Sequence, residues 1–171
     1  MHLPRPLVFL LLLAAACGGD EGGGPAPGDY FDQLERVSET AHIQVRGLQR
    51  DLRVRLEDVP PGEDRMSVLA VYVDQSVRLY EDVTAALGDL DPPEELADAQ
   101  RAYLETWRSR LDLVVAVRDA GYPGPDAILR ALEMPAFGNA AAETKARCEA
   151  LQAAVAATRS DVDLVCDGRP A

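Results

Sequence analysis

Beyond residue 28, apolar residues recur every three or four positions along most of the chain, the period of an amphipathic α-helix. Between Asp29 and Asp58 they fall at Phe31, Leu34, Ala41, Val45, Leu48, Leu52 and Leu56, with Ser38 standing in the one gap. That spacing predicts one long helix, about 45 Å at 1.5 Å per residue. Pro60-Pro61-Gly62 ends it, because proline lacks the helical N–H and pushes the residue before it toward extended geometry. A second run carries Met66, Leu69, Val73, Val77, Tyr80, Val83 and Leu87 and closes near Gly88. Asp91 then reads as an N-cap, with Pro92 in the first turn and Glu94-Glu95 where the helix dipole favours negative charge. The third face is Leu96, Ala99, Tyr103, Trp107, Leu111 and Val114, up to the breakers Gly121-Tyr122-Pro123-Gly124-Pro125. A short helix is expected from Asp126 to Glu133. Met134-Pro135-Ala136-Phe137-Gly138 is expected to be a loop that folds two large side chains over one end of the molecule. The last helix is expected from near Asn139, presenting Cys148, Leu151, Val155 and Thr158.

After Arg159 the period shortens: Asp161-Val162-Asp163-Leu164-Val165-Cys166 alternates briefly and reads as an extended tail. Four long amphipathic segments joined by short turns predict an all-α fold. The expected architecture is an antiparallel up-and-down four-helix bundle with a short extra helix and a disulfide-tied C-terminal tail. No internal repeat is visible.

The first 28 residues follow another pattern. His2 and Arg5 precede the apolar run Leu7 to Leu13, and Ala14-Ala15-Ala16 lead to Cys17, which is the anatomy of a secretory leader over residues 1–16. The run is too short to span a bilayer, which takes about 20 residues. A cysteine directly after small residues resembles the bacterial lipobox, so Cys17 is the expected lipidation site; that pattern usually has Leu three positions earlier, where this chain has Ala14. Ordinary cleavage after Ala16 is the alternative. Residues 17–28, rich in Gly with Pro25 and Pro27, read as a flexible linker, and 29–171 as one domain. Acyl chains on Cys17 would attach the domain to a membrane without a spanning helix, each buried CH2 contributing about 0.8 kcal/mol. Gly18 in place of Asp after the cysteine argues against retention at an inner membrane.

Composition narrows the partners. The formal charge is −12, and −13 once Arg5 leaves with the leader. Such a surface repels phosphate backbones, which excludes nucleic acid as a partner, and it repels anionic lipid head groups as well. The expected attachment to membrane is therefore the N-terminal lipid. Basic residues are almost all arginine, with Lys145 the one lysine, as high-GC coding produces. Of three cysteines, a lipid on Cys17 leaves Cys148 and Cys166 as a pair in an oxidising compartment. Free thiols or a metal are the alternatives, although zinc wants more Cys and His than this chain has.

Two stretches carry a resemblance. Leu90-Asp91-Pro92-Pro93-Glu94-Glu95-Leu96-Ala97-Asp98-Ala99 with Tyr103, and Cys148-Glu149-Ala150-Leu151-Gln152 through Asp161-Val162-Asp163-Leu164-Val165-Cys166, resemble uncharacterised helical-bundle lipoproteins of high-GC bacteria. The resemblance spans about a third of the mature chain. It implies a lipid anchor, a bundle and a disulfide, and it brings no catalytic residue with it.

Candidate chemistry is sparse. His42 is the one histidine after the leader, too few for the usual metal site, and it reads as a structural residue. Ser38, Ser67, Ser76, Ser109 and Ser160 lack a G-x-S-x-G setting. Arg46, Arg50 and Arg53 form one ridge, read as solvated beside the i,i+4 pairs Asp51–Arg55 and Arg53–Glu57. Glu94, Glu95 and Asp98 lack EF-hand spacing. Neither a metal nor a cofactor is expected. Tyr72, Tyr80, Tyr103 and Trp107 fit core packing at helical spacing, and the alternative is a lining for a small apolar ligand. The candidate ligand or partner surface is Tyr72, Tyr103, Trp107, Met134 and Phe137. Two function classes follow: a lipid-anchored interaction or ligand-binding module of the cell envelope, taking an envelope protein or a small apolar ligand, and a carboxylate-dependent envelope enzyme using a pair drawn from Glu35, Glu39, Glu105 and Asp112. The first is the expected one, with no catalytic residue assigned.

Overall fold

The computed structural model describes residues 27–60, 63–159 and 161–166. The expected leader, Cys17 and most of the expected linker lie outside them. Among the described residues there are five α-helices, one 3-10 turn and no strand: α1 (Pro27–Asp58), α2 (Glu63–Gly88), the 3-10 turn Glu94–Leu96, α3 (Ala97–Asp119), α4 (Pro125–Leu132) and α5 (Pro135–Thr158). Packing runs α1 on α2, α2 on α3, and α3 on α5, while the short α4 rests on α2 and α3. Helices alternate in direction along that order, so the all-α up-and-down bundle with one extra helix is the observed fold.

Its interior follows the sequence period. Phe31, Leu34 and Ala41 of α1, Leu69, Val73, Val77 and Leu87 of α2, Tyr103, Trp107 and Val114 of α3, and Leu151 and Val155 of α5 form one buried cluster. Side chains close two helix ends where backbone groups lack partners. Arg65 donates to the carbonyls of Leu56 (3.2 Å) and Val59 (3.4 Å), fastening the end of α1 to the start of α2. The buried Gln100 Nε2 donates to the Leu87 carbonyl at 2.9 Å and closes α2 from within α3.

Two boundaries differ from expectation. Asp91 is not the cap of helix three: Pro93 precedes the 3-10 turn in extended geometry (φ −50, ψ 148) and no side chain caps it. The second proline of the pair holds Pro92 out of the helical region, so helical hydrogen bonding starts only after Pro93. The expected loop 134–138 is also absent, because α5 already begins at Pro135, with Met134 extended before it (φ −58, ψ 142). Proline suits a first helical position, since its missing N–H would have no partner there. Phe137 thus sits in the first turn of a helix and is partly buried against the core, leaving no flap to cover the bundle end.

Candidate functional site

The least ordinary part of the molecule is the seam between α1 and α5. These two helices do not pack extensively on each other. Residues 161–166 run between them as a strap, alternating exposed Asp161 and Asp163 with buried Val162 and Leu164, the alternation of an extended chain. Val162 and Leu164, each 4% exposed, belong to the same buried cluster as Phe31, Leu34, Leu151 and Val155. Side chains of both helices hold the strap backbone. Gln152 of α5 donates from Nε2 to the Val162 carbonyl (2.9 Å) and accepts the Leu164 N–H on Oε1 (2.7 Å). From α1, Ser38 Oγ donates to the Val165 carbonyl (3.3 Å) and Glu35 accepts the Asp163 N–H (3.3 Å). The strap therefore runs alongside α1 in the same direction and against α5. Cys166 is joined to the fully buried Cys148 of α5, and at the other end Arg159 lies over the Phe31 ring (5.3 Å) and pairs with Asp161.

Magnitudes show how this segment stays docked. Burying two aliphatic side chains and making four hydrogen bonds contributes together about 5–12 kcal/mol. Ordering the backbone of six residues costs about 6–12 kcal/mol. The two nearly cancel, so the disulfide, worth about 3 kcal/mol for a loop of this length, decides the balance. The tail is thus not a frayed end tied to a finished bundle; it fills one side of the core.

Of the surface expected from the sequence, two residues lie in the interior. Tyr103 and Trp107 are 0% exposed, at the centre of an aromatic cluster. The Trp107 ring lies 5.8 Å from Tyr80, 6.2 Å from Tyr103 and 6.2 Å from His42, measured between centroids. Tyr72 is half-buried. Burial pushes its hydroxyl above the ordinary 10.0, and the neighbouring Tyr80 adds to the rise. The Tyr103 hydroxyl is likewise raised by burial, against the pull of Trp107 and Ser38 beside it. Met134 is 45% exposed at the α4–α5 junction, and among the described residues no ring contact joins Phe137 to the cluster. Sequence reading missed Arg110, whose guanidinium lies 4.9 Å from both the Tyr80 and Trp107 ring centroids and donates to Tyr80 Oη at 2.9 Å. Its position three residues after Trp107, on the same helix face, was the available signal.

The carboxylates do not gather. Glu39, Glu105 and Asp112 are exposed, Glu105 pairs with Arg108 on its own helix, and Glu35 serves the strap. Among the described residues no three of His, Cys, Asp and Glu come together as a metal site would require. Of the arginine ridge, Arg50 and Arg53 are exposed, and Asp51–Arg55 forms at 3.4 Å. The outer groove between α1 and α2 is shallow: about 470 Å³ beside Gly47, Leu48, Gln75 and Leu79, continuing at Gln44 and Asp82 into about 240 Å³ beside Val37, Ala41 and Ala86.

The disulfide indicates an oxidising, extracytoplasmic environment. No described helix is long and apolar enough to cross a membrane. The chain matches no protein-family model, no curated protein and no solved structure.

Proposed function

We propose that this chain is a membrane-tethered interaction module of the bacterial cell envelope, held by acyl groups on Cys17. The observation that supports it is the use of the cysteines. Cys148 and Cys166 are consumed by each other, which leaves Cys17 as the third, directly after the leader's small residues and ahead of a glycine-rich linker. The order leader, cysteine, linker, domain is the order that export and lipidation require.

A protein partner fits this domain better than a small apolar ligand. Tyr80, Tyr103 and Trp107, which would have lined a ligand pocket, are core, and the outer groove is open and shallow. An acidic surface of this charge favours a partner with a basic face and would speed their encounter at low salt. On this reading the resembling high-GC lipoproteins are relatives in architecture, and the domain acts by being positioned and bound.

The test is fractionation of a bacterial host expressing the full chain. The wild type should sediment with membranes and Cys17→Ala should be soluble, with mass spectrometry finding acylated Cys17 as the mature N-terminal residue. A different, unmodified N-terminus defeats the anchor. Reproducible turnover lost on replacing a single Glu or Asp would replace the interaction reading with the enzymatic one.

A further inference from the structure

The α1–α5 seam handles the strap as a peptide receptor handles a ligand. It takes alternate side chains, Val162 and Leu164, into the core and addresses the backbone between them through Gln152, Glu35 and Ser38. Extended-peptide sites combine main-chain hydrogen bonds with pockets for every second side chain in this way. Nothing in the contacts requires the strap to belong to the same molecule. Its point of departure, Arg159, is already extended (φ −138, ψ 105) just beyond α5, and its pair with Asp161 is solvent-exposed. Rotation there would carry the strap away from its own helix without disturbing α5.

We propose that the seam is a receptor for an extended peptide, latched onto the chain's own strap by Cys148–Cys166, and that once the latch is reduced the seam of one copy takes the strap of a second. Cys166 is part-exposed while Cys148 is buried, so the attacking thiolate of a dithiol reductant bonds to Cys166 Sγ and Cys148 leaves as the thiolate and takes up a proton. The reductant's second thiol then displaces Cys166, which leaves protonated, and the reductant departs as a disulfide. With the latch open, cis docking is nearly balanced by its ordering cost. The occupant of matching chemistry is the same strap from another copy, since its Val162, Leu164 and Cys166 fit by construction. Reciprocal exchange closes a twofold dimer, and Cys166 of each copy can then re-form the bond with Cys148 of the other. The proposal rests on the strap geometry and does not require the Cys17 anchor.

The test uses full-length chains carrying Cys17→Ala. A donor also carries Cys148→Ser and keeps the strap thiol; a receiver carries Cys166→Ser with Leu164→Asp, which disables its own strap and leaves Cys148 in an open seam. Under mild oxidation the mixture should give a disulfide-linked heterodimer. Adding Leu164→Asp to the donor, or Gln152→Ala to the receiver, should cut its yield by about tenfold. Equal yields with the intact and disabled donor mean random thiol collision and overturn the proposal. Should the receiver lose its helical circular dichroism, the chain carrying only Cys17→Ala decides: reduced by a dithiol and re-oxidised over a range of concentrations, it should form a disulfide-linked dimer whose share rises with concentration. Monomer throughout overturns the proposal.

Discussion

Ser38 shows how far single residues could be read in advance. It interrupts an otherwise apolar stripe at the position where the next core residue belongs, and its place on the buried face was visible; what it faces was not. Its hydroxyl reaches a carbonyl 127 residues away, and local spacing contains nothing about such a partner. Tyr103 and Trp107 make the same point in reverse. Helical period groups residues on a face without saying whether that face is roofed, so two of the five residues nominated as a ligand surface, Tyr103 and Trp107, lie at the centre of the core. The buried tyrosines give a measurable consequence. Burial raises the hydroxyls of Tyr30, Tyr72 and Tyr103 above the ordinary 10.0, so above that pH the unfolded chain gives up its phenolic protons before the folded one does. Their contribution to stability is intact below about pH 10 and is lost as pH rises beyond it toward the folded values. Titration followed by tyrosinate absorbance should show these three ionising late and together with loss of helical signal, whereas exposed phenols would ionise early with the fold intact.

At the scale of elements, strong breakers and long periodic runs were legible: the ends of α1 and α2 and the short α4 fall within two or three residues of where Pro, Gly and the apolar stripes put them. The starts of α3 and α5 were not, because proline terminates one helix and opens another with equal ease, and only the neighbouring packing decides which. The strap was legible as extended, yet not as core, since Gln152 and Glu35 look like ordinary helix-surface residues until an extended chain is laid beside them. Two glycines separate backbone effects cleanly. Gly47 lies inside α1 with nothing within 4 Å of where a Cβ would stand, and Gly121 has φ +61 after α3 with equally open surroundings. Gly47→Ala should stabilise by about 0.5–1 kcal/mol through helix propensity, while Gly121→Ala should cost about 1–2 kcal/mol for left-handed geometry. Chemical denaturation of both variants checks the signs, and a stabilised Gly121→Ala would contradict the turn described.

For the whole molecule, the bundle is a three-sided assembly of helix contacts, α1–α2, α2–α3 and α3–α5, completed on the fourth side by six residues of strap. Reducing Cys148–Cys166 should lower stability by about 3 kcal/mol while most helical signal remains, and thiol labelling of the unfolded, unreduced chain should find neither cysteine reactive. Leu164→Ala in the oxidised protein should cost about 2–3 kcal/mol, far more than truncation of a surface tail; a change within a few tenths would show that the strap lies outside the core. The separation of its partners also governs how the chain matures. Glu35 and Ser38 meet Asp163 and Val165 across 128 and 127 positions, whereas neighbouring helices pair across short turns, and contacts so distant along the chain form slowly because the loop between them must first be closed. The apolar flank of α1 therefore precedes its roof by 127 positions of chain. A product cut before Asp161 would carry that flank open and sticky, which would mark it as incomplete to any chaperone or protease.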